Sequence, residues 1–422
     1  MATRPHSLID VQPDEAIALS EQRKRFVFGP GLVSGASACD PTTVASLAVV
    51  GATTVYGLAW LVILLLPMLA VVQAIAAHAG AVLQSSLQEA ISRTYGRIAA
   101  LLAASAVIVI GVLTLAADVK AGAEGLTLLF GVSFYAFVIP IVVFSGWLLA
   151  SNSYLKIERV LASFTLIFLC YVASAIYARP DWGEVLHSIL VPHMSFSPIW
   201  VTGAVALLGT TLTSYEYYWE SIEVGERRPQ LSQVRAFKLD AVFGMLAADS
   251  SFLFILIATA ATSGKHHVTI QTAADAASAL KPLAGSWDQM LFGLGFLASA
   301  AIAIPVIAAT NGYVVAQTFG VRAALGTPLS QARTFYAVIF GSLVVAAALA
   351  LTPVPTIALL YWVSVAAGIA TPITLAYMLL VTRNRKTMGG RPIGLPLECG
   401  GWAVTGVVTV ASVAFIVQTI RG

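Results

Sequence analysis

The stretch Ser37-Ala38-Cys39-Asp40-Pro41-Thr42-Thr43 interrupts an apolar segment that runs from about residue 28 to residue 50. Pro41 has no backbone N–H and disfavours the helical conformation at Asp40, so a helix across this segment must break here. Unpaired carbonyls and a carboxylate are tolerated at membrane depth only where they are buried in protein or line a cavity. The stretch therefore predicts an interrupted membrane helix whose break marks a site.

The polar groups at this break are typical of a cation site. Asp40 supplies one negative charge, and hydroxyl oxygens come from Ser37, Thr42 and Thr43. The freed backbone carbonyls add further oxygen donors. The competing interpretation is a loop at the membrane surface with Asp40 solvated, and apolar residues on both sides of the break speak against it.

The composition predicts an all-α polytopic membrane protein. Of 422 residues, 58% are hydrophobic and only 10% are charged, a balance far outside the range of soluble proteins. Residues 1–27 form a polar tail, and residues 28–422 form one transmembrane domain. Eleven spans of bilayer length are predicted: 28–50, 53–79, 97–122, 125–150, 158–178, 197–224, 238–262, 287–319, 334–352, 355–382 and 398–420.

The distribution of basic residues predicts the orientation. With the N-terminus in the cytoplasm, 18 of the 23 Lys and Arg residues lie in cytoplasmic segments, as the positive-inside rule requires. An odd number of spans then places the C-terminus outside, and the expected location is the inner (cell) membrane. The only macromolecular environment expected is the lipid bilayer: no cofactor and no nucleic-acid partner are predicted.

A second polar patch interrupts the sixth span. Gly209-Thr210-Thr211-Leu212-Thr213-Ser214 lies five spans after the first break. Interrupted helices at matching positions of two halves indicate a transporter substrate site. The pattern predicts an inverted repeat of spans 1–5 and 6–10, with an eleventh span added, and places Asp40 and Thr213 across one cavity. The alternative is a continuous helix whose Ser and Thr hydroxyls bond back to the preceding turn.

Acidic residues follow the second break on one helical face. Glu216, Glu220 and Glu223 recur at i, i+4 and i+7, where like charges repel or attract a cation. Glu216 lies two residues past Ser214 and is assigned to the site together with Tyr215. Glu220 is assigned to an exit pathway, whereas Glu223 is interpreted as an interfacial partner of the following arginines.

Three further acids lie within predicted spans or at the end of one, and an ionisable residue inside the membrane is a functional hypothesis by default. Asp118, Glu124 and Asp249 are the candidates for a pathway or proton relay. For Asp118, a structural ion pair with Lys120 is a serious competing interpretation.

Several motifs together resemble the NRAMP family of divalent-metal transporters. They are the run Gly29–Thr43 with its Gly-Pro-Gly and Asp-Pro, Gln73 in the second span, Asp118 in the third, Pro180-Asp181-Trp182 before the sixth, and Asn384–Gly389 in a late connection. The similarity covers nearly the whole chain after residue 27. It implies the LeuT-like fold of the amino acid–polyamine–cation superfamily.

The metal-binding positions of that family are altered here. The resemblance implies Asp40 as a metal ligand, with Thr43 at the position of a family asparagine. It places Thr213, Ser214 and Tyr215 at a Met-Pro-His motif and Glu220 at a second histidine. The run from Gly209 is similar to an NRAMP-related branch that includes magnesium transporters, although that branch usually carries several aspartates before its proline.

The changed ligands favour a hard cation. A thioether selects soft transition metals, whereas carboxylate and hydroxyl oxygens suit Mg²⁺ or Mn²⁺. We expect a secondary transporter with Asp40, Thr43 and Thr213 as metal ligands and with Thr42, Thr210 and Glu216 nearby. The alternative substrate is a small organic cation held by Asp40, Glu216 and the aromatic residues that follow Ser214. No nucleophile–base pair or soluble output domain is evident, so an enzyme is not expected.

Overall fold

The protein is a bundle of helices. The structure, a computed structural model, describes residues 38–151, 169–321 and 324–421, apart from the side chains of residue 231 and residues 247–250. The α-helices are α1 (Pro41–Thr54), α2 (Ala59–Leu83), α3 (Leu87–Phe130), α4 (Tyr135–Ala150), α5 (Leu169–Tyr177), α6 (Trp182–Leu190), α7 (Pro198–Thr211), α8 (Ser214–Glu226), α9 (Val234–Thr259), α10 (Ala273–Ala277), α11 (Lys281–Ala284), α12 (Asp288–Thr318), α13 (Arg333–Ala350), α14 (Thr356–Arg383) and α15 (Leu395–Arg421). Every regular element within these ranges is helical, as predicted.

The helices have the dimensions of membrane spans. Within the described residues, seven helical stretches are long and apolar enough to cross a bilayer. The helix α4 is apolar but shorter. The helix α1 begins directly after Asp40, and α7 and α8 are short because a break at residues 212–213 separates them. The bundle therefore agrees with a polytopic membrane protein, and the predicted fifth span is described only from residue 169 onward.

One predicted boundary is wrong. The sequence predicts a break between spans 97–122 and 125–150, but α3 continues through it to Phe130. The small residues there allow close contact with α12: a Cβ added at Gly122 would lie 3.0 Å from the Cβ of Ala300. The helix ends instead at Gly131, which adopts a positive φ of 71°. Backbone geometry also kinks α3 at Gly96, next to the predicted start of the third span.

Short helices occupy the two longest predicted connections. The helix α6 lies within 179–196, and α10 and α11 lie within 263–286. Asp181 begins α6, because its Oδ1 accepts bonds from the N–H groups of Gly183 and Glu184. These segments are ordered caps on one end of the bundle.

The broken helices lie at the centre of the bundle. The helix α1 packs against α7, α9 and α14, while α8 packs against α2 and α3. Gly209 of α7 allows the closest approach, because a Cβ there would overlap the backbone of Ser364 and Gly368 in α14. This packing brings the two polar patches of the sequence to the middle of the molecule.

Candidate functional site

A helix begins directly after Asp40, as predicted, whereas residues 28–37 of the predicted first span lie outside the described residues. Asp40 is extended (φ −69°, ψ 163°) directly before α1, and Pro41 occupies the first helical turn. The Oδ1 atom of Asp40 accepts a bond from the N–H of Thr43 at 2.7 Å and so caps the helix. Asp40 is 1% exposed. The carbonyl of Cys39, on the other side of the break, accepts a bond from the hydroxyl of Ser299 in α12.

The second break is also present. Helix α7 ends at Thr211 and α8 begins at Ser214. The Thr213 hydroxyl donates to the carbonyls of Gly209 and Thr210, with both oxygen–oxygen distances 2.8 Å. A hydroxyl that donates its proton to carbonyls keeps its own lone pairs for another partner. Because α7 ends before α8 begins, the alternative of a continuous helix is wrong for this span, although the Thr213 hydroxyl does bond back to the preceding turn.

The two breaks contact each other. The Tyr215 hydroxyl donates to Oδ2 of Asp40 over 3.0 Å. The hydroxyls of Thr43 and Thr210 are hydrogen-bonded at 2.9 Å. Thr210 and Tyr215, one residue from each pair, lie on either side of Thr213 in the chain. The structure therefore brings Asp40, Thr43 and the second break together at one buried point. The two polar stretches are therefore adjacent, and the cavity expected between Asp40 and Thr213 stays a prediction.

A second carboxylate joins this group through a threonine. The Thr42 hydroxyl donates to Oδ1 of Asp118 over 2.8 Å, and Asp118 is fully buried. Lys120 contacts a different part of the molecule, since its Nζ donates to the carbonyls of Thr352 and Val354 at 2.6 Å each. The structure thus connects Asp118 to the break, and Lys120 to the turn between α13 and α14.

The remaining candidate residues lie in different surroundings. Glu216 and Glu220 are buried in α8, whereas Glu223 forms an ion pair with Arg227 at 2.5 Å, as the structural interpretation predicts. Glu124 accepts a bond from Thr356 at 3.1 Å, at the beginning of α14. Ser214 is buried at the first position of α8, while Ser37 and the side chain of Asp249 lie outside the described residues.

The aromatic residues after Ser214 pack mainly against other helices. The hydroxyl of Tyr217 is bonded to that of Thr374 in α14, and the ring of Trp219 meets Tyr313 of α12 edge-on at 6.4 Å. Tyr215 differs from them because its hydroxyl reaches Asp40. The ring contacts favour a packing role for Tyr217 and Trp219.

Sequence reasoning missed hydroxyl groups that support the breaks from neighbouring helices. Ser299 bonds the carbonyl of Cys39, and Thr371 of α14 donates to the carbonyl of Leu212 at 3.3 Å. A single hydroxyl in an apolar helix has no periodic signal, so only the packing of α12 and α14 identifies these two residues.

The donor set at the joined breaks consists of oxygen atoms. It comprises the Asp40 carboxylate, the hydroxyls of Thr43, Thr210 and Thr213, and the backbone carbonyls beside them. Within the part of the chain that the structure describes, no three side chains of the His, Cys, Asp or Glu type come together as a metal cluster. Oxygen donors with one carboxylate suit hard cations.

Comparison with solved structures identifies the fold. The manganese transporter of Eremococcus coleocola superposes with a TM-score of 0.71 at 18% identity, covering 92% of this chain and 86% of that one. MhsT in complex with L-phenylalanine superposes with a TM-score of 0.59 at 13% identity, covering 93% and 98%. These likenesses establish the LeuT-like fold.

Sequence comparison provides the family. The chain is 25% identical over 281 residues to a divalent metal cation transporter MntH of Caldanaerobacter subterraneus, and the match spans 64% of each protein. The family model described as natural resistance-associated macrophage protein-like, Nramp, matches residues 31–418. This match covers nearly the whole chain, and the protein therefore belongs to the Nramp family.

Proposed function

We propose that the protein is a secondary transporter that moves a hard divalent cation, of the Mg²⁺ or Mn²⁺ class, across the membrane by alternating access. The observation that carries this proposal is the buried junction of Asp40 with the hydroxyls of Thr43, Thr210 and Thr213. Family membership supports a transport protein rather than an enzyme.

The proposed metal ligands are Asp40, Thr43 and Thr213. Asp40 supplies the negative charge that offsets the loss of water from the ion. Thr213 directs its proton to two carbonyls, which leaves its oxygen lone pairs for a cation. Small hydroxyl side chains also leave room for the water molecules that Mg²⁺ retains.

The names of the relatives support a divalent metal as the substrate, because they include a divalent metal cation transporter and a manganese transporter. The choice of a hard ion depends on this chain's own residues. Thr213 stands where the family resemblance implies a methionine, and loss of a thioether lowers the affinity for soft ions such as Cd²⁺.

A small organic cation is the alternative substrate class. It requires aromatic faces around Asp40 and Glu216. Of the aromatic residues after Ser214, Tyr217 and Trp219 are bonded or packed against α14 and α12. The contacts therefore favour the metal, and the organic cation is retained as an outcome of the test.

The transport path would continue from the junction through Asp118 on α3 and through Glu216 and Glu220 on α8. Both glutamates are buried, and Thr42 joins Asp118 to the break. We place this path in an inner-membrane protein with a cytoplasmic N-terminus and an external C-terminus, as the distribution of basic residues indicates.

Uptake by proteoliposomes tests the proposal. Purified protein is reconstituted, and uptake of Mg²⁺, Mn²⁺, Ca²⁺ and Cd²⁺ is compared with that of ethylammonium and guanidinium. We expect saturable uptake of Mg²⁺ or Mn²⁺ that exceeds uptake of Cd²⁺ and is not inhibited by the organic cations. Uptake of an organic cation without metal uptake would contradict the proposal.

A further inference from the structure

A cavity lies away from the joined breaks, at the end of the bundle predicted to be cytoplasmic. It has a volume of about 460 Å³ and opens where the α2–α3 connection, the start of α3 and the α14–α15 connection meet. Its polar lining consists of Ser85, Arg93, Thr94, Asn384, Lys386 and Thr387. These residues combine two cations with three hydroxyls and an amide. The guanidinium of Arg93 also pairs with the carboxylate of Glu89 one helical turn before it.

The lining groups are suited to donate hydrogen bonds. The hydroxyls of Thr94 and Thr387 are bonded to each other at 2.9 Å, which uses one of their two protons. The Oδ1 atom of Asn384 accepts from the N–H groups of Lys386 and Thr387 at 3.0 and 3.3 Å, which leaves the amide nitrogen as a donor. Positive charge with several donors is complementary to a phosphate group.

The wall of the cavity is held in place by the rest of the fold. Met388 is 1% exposed, and its N–H donates to the carbonyl of Asn384 at 2.9 Å. The carbonyl of Arg391 lies 3.0 Å from the ring nitrogen Nε2 of His78 in α2. The α14–α15 connection is therefore anchored to the bundle after Lys386, while α14 ends at Arg383 before it.

The cavity lies at the level where a bilayer surface is expected. Tyr95 follows Thr94, is 38% exposed and donates its hydroxyl proton to the carbonyl of Leu380. Tyrosine is one of the residues enriched at membrane interfaces. Ile98 and Leu102 come next on α3 and are 78% and 55% exposed, so apolar surface for acyl chains begins beside the polar lining.

The surroundings of the cavity are strongly basic. Segments 85–98 and 383–398 contain six Lys or Arg residues and two Glu residues, so six minus two gives a net charge of +4. Each Lys or Arg near an anionic bilayer surface contributes about 1 kcal/mol to attraction. Positive charge, hydrogen-bond donors and exposed apolar surface therefore lie next to one another at the cavity.

From this coincidence we infer that the cavity binds the phosphate of an anionic phospholipid headgroup, with the acyl chains along the exposed apolar face of α3. Arg93 and Lys386 supply the charge, and Thr94, Thr387 and Asn384 donate hydrogen bonds to the phosphate oxygens. The inference does not depend on which substrate the protein transports, because the cavity and the joined breaks share no residue.

Native mass spectrometry of the detergent-purified protein tests this site. The protein is titrated with phosphatidylglycerol, phosphatidylcholine or inorganic phosphate. We expect phosphatidylglycerol to bind about tenfold or more tightly than phosphatidylcholine, and the double variant Arg93→Gln/Lys386→Gln to lose that preference. The variant Thr94→Val/Thr387→Val keeps the charge and should weaken phosphatidylglycerol binding by a smaller factor.

The matched control is Arg385→Gln/Arg391→Gln, which removes two charges from the same connection without changing the lining. Its phosphatidylglycerol affinity should fall clearly less than that of Arg93→Gln/Lys386→Gln, because the lining groups stay in place, and melting temperatures confirm that each variant is folded. An equal loss in both double variants, or equal binding of the two lipids, would overturn the inference. Displacement of the lipid by inorganic phosphate at millimolar concentration would assign the cavity to free phosphate instead.

Discussion

Tyr215 donates its hydroxyl proton to Oδ2 of Asp40 over 3.0 Å, and this bond joins the N-cap of α1 to the first turn of α8, 175 residues later in the chain. The Thr43–Thr210 hydroxyl pair makes a second bridge between α1 and the end of α7. Under the proposed function, a cation bound between Asp40 and Thr213 would share the carboxylate with Tyr215. The bond would then link substrate binding to the relative position of α1 and α8.

Replacing Tyr215 by phenylalanine tests this link. The variant removes the donor to Oδ2, and loss of a hydrogen bond to a charged group should lower the stability of the metal-free protein by about 1.5–3 kcal/mol. Because the carboxylate then lacks that partner, added Mg²⁺ or Mn²⁺ should raise the melting temperature more in the variant than in wild type. Thermal melting with and without metal measures both effects.

Tyr218→Phe is the matched control for this experiment. Tyr218 is buried in the same helix, and its hydroxyl has no hydrogen-bond partner among the residues that the structure describes. Removal of this hydroxyl should change neither the stability of the metal-free protein nor the rise in melting temperature caused by added metal. If both variants behave alike, the bond between Tyr215 and Asp40 does not contribute to the metal-free state.

Asp40→Asn keeps the shape of the side chain and removes its charge. Substrate affinity should fall at least tenfold, which corresponds to roughly 1.5 kcal/mol or more for a lost charged interaction, while the protein still folds. Calorimetric titration with Mg²⁺ and Mn²⁺ measures the change. The control is Asp181→Asn, which changes the cap of α6 outside the site and should bind metal like wild type. If wild type, Asp40→Asn and Asp181→Asn bind metal equally tightly, Asp40 is not part of the site.

Thr213→Met should change the selectivity of transport. The thioether is a soft ligand, so the ratio of Cd²⁺ to Mg²⁺ uptake should rise in proteoliposomes. The variant also loses the bonds from the hydroxyl to the carbonyls of Gly209 and Thr210, so its melting temperature is measured in parallel. The control is Thr202→Met on the same span, where the side chain is partly exposed, and it should leave the ratio of Cd²⁺ to Mg²⁺ uptake unchanged. If folded Thr213→Met also leaves this ratio unchanged, Thr213 is not a metal ligand.

Gly209→Ala tests the close packing that positions the second break. An added Cβ would overlap the backbone of Ser364 and Gly368, and forced overpacking costs about 1–3 kcal/mol or more. Gly341→Ala in α13 is the control, because no atom lies within 4 Å of the added Cβ. We expect a lower melting temperature for the first variant and an unchanged or slightly higher one for the second.

Local sequence accounts for the positions of the two breaks. Pro41 removes a backbone donor directly after Asp40, and the polar run from Gly209 to Ser214 weakens the helix α7, which ends within that run at Thr211. Both effects act within a few residues of the chain. The all-helical class followed in the same way from length and apolar composition. Local chemistry was insufficient between Gly122 and Gly125, where the predicted spans 97–122 and 125–150 are separated although the helix continues and packs closely against α12.

Which polar groups meet depends on how the helices pack. Asp118 contacts Thr42 rather than its chain neighbour Lys120, and Lys120 bonds the turn between α13 and α14. Likewise Tyr215, rather than Thr213, makes the bond to Asp40. These partners depend on the rotation and depth of each packed helix, which are set by contacts summed over many side chains and therefore have no signature in any single stretch of sequence.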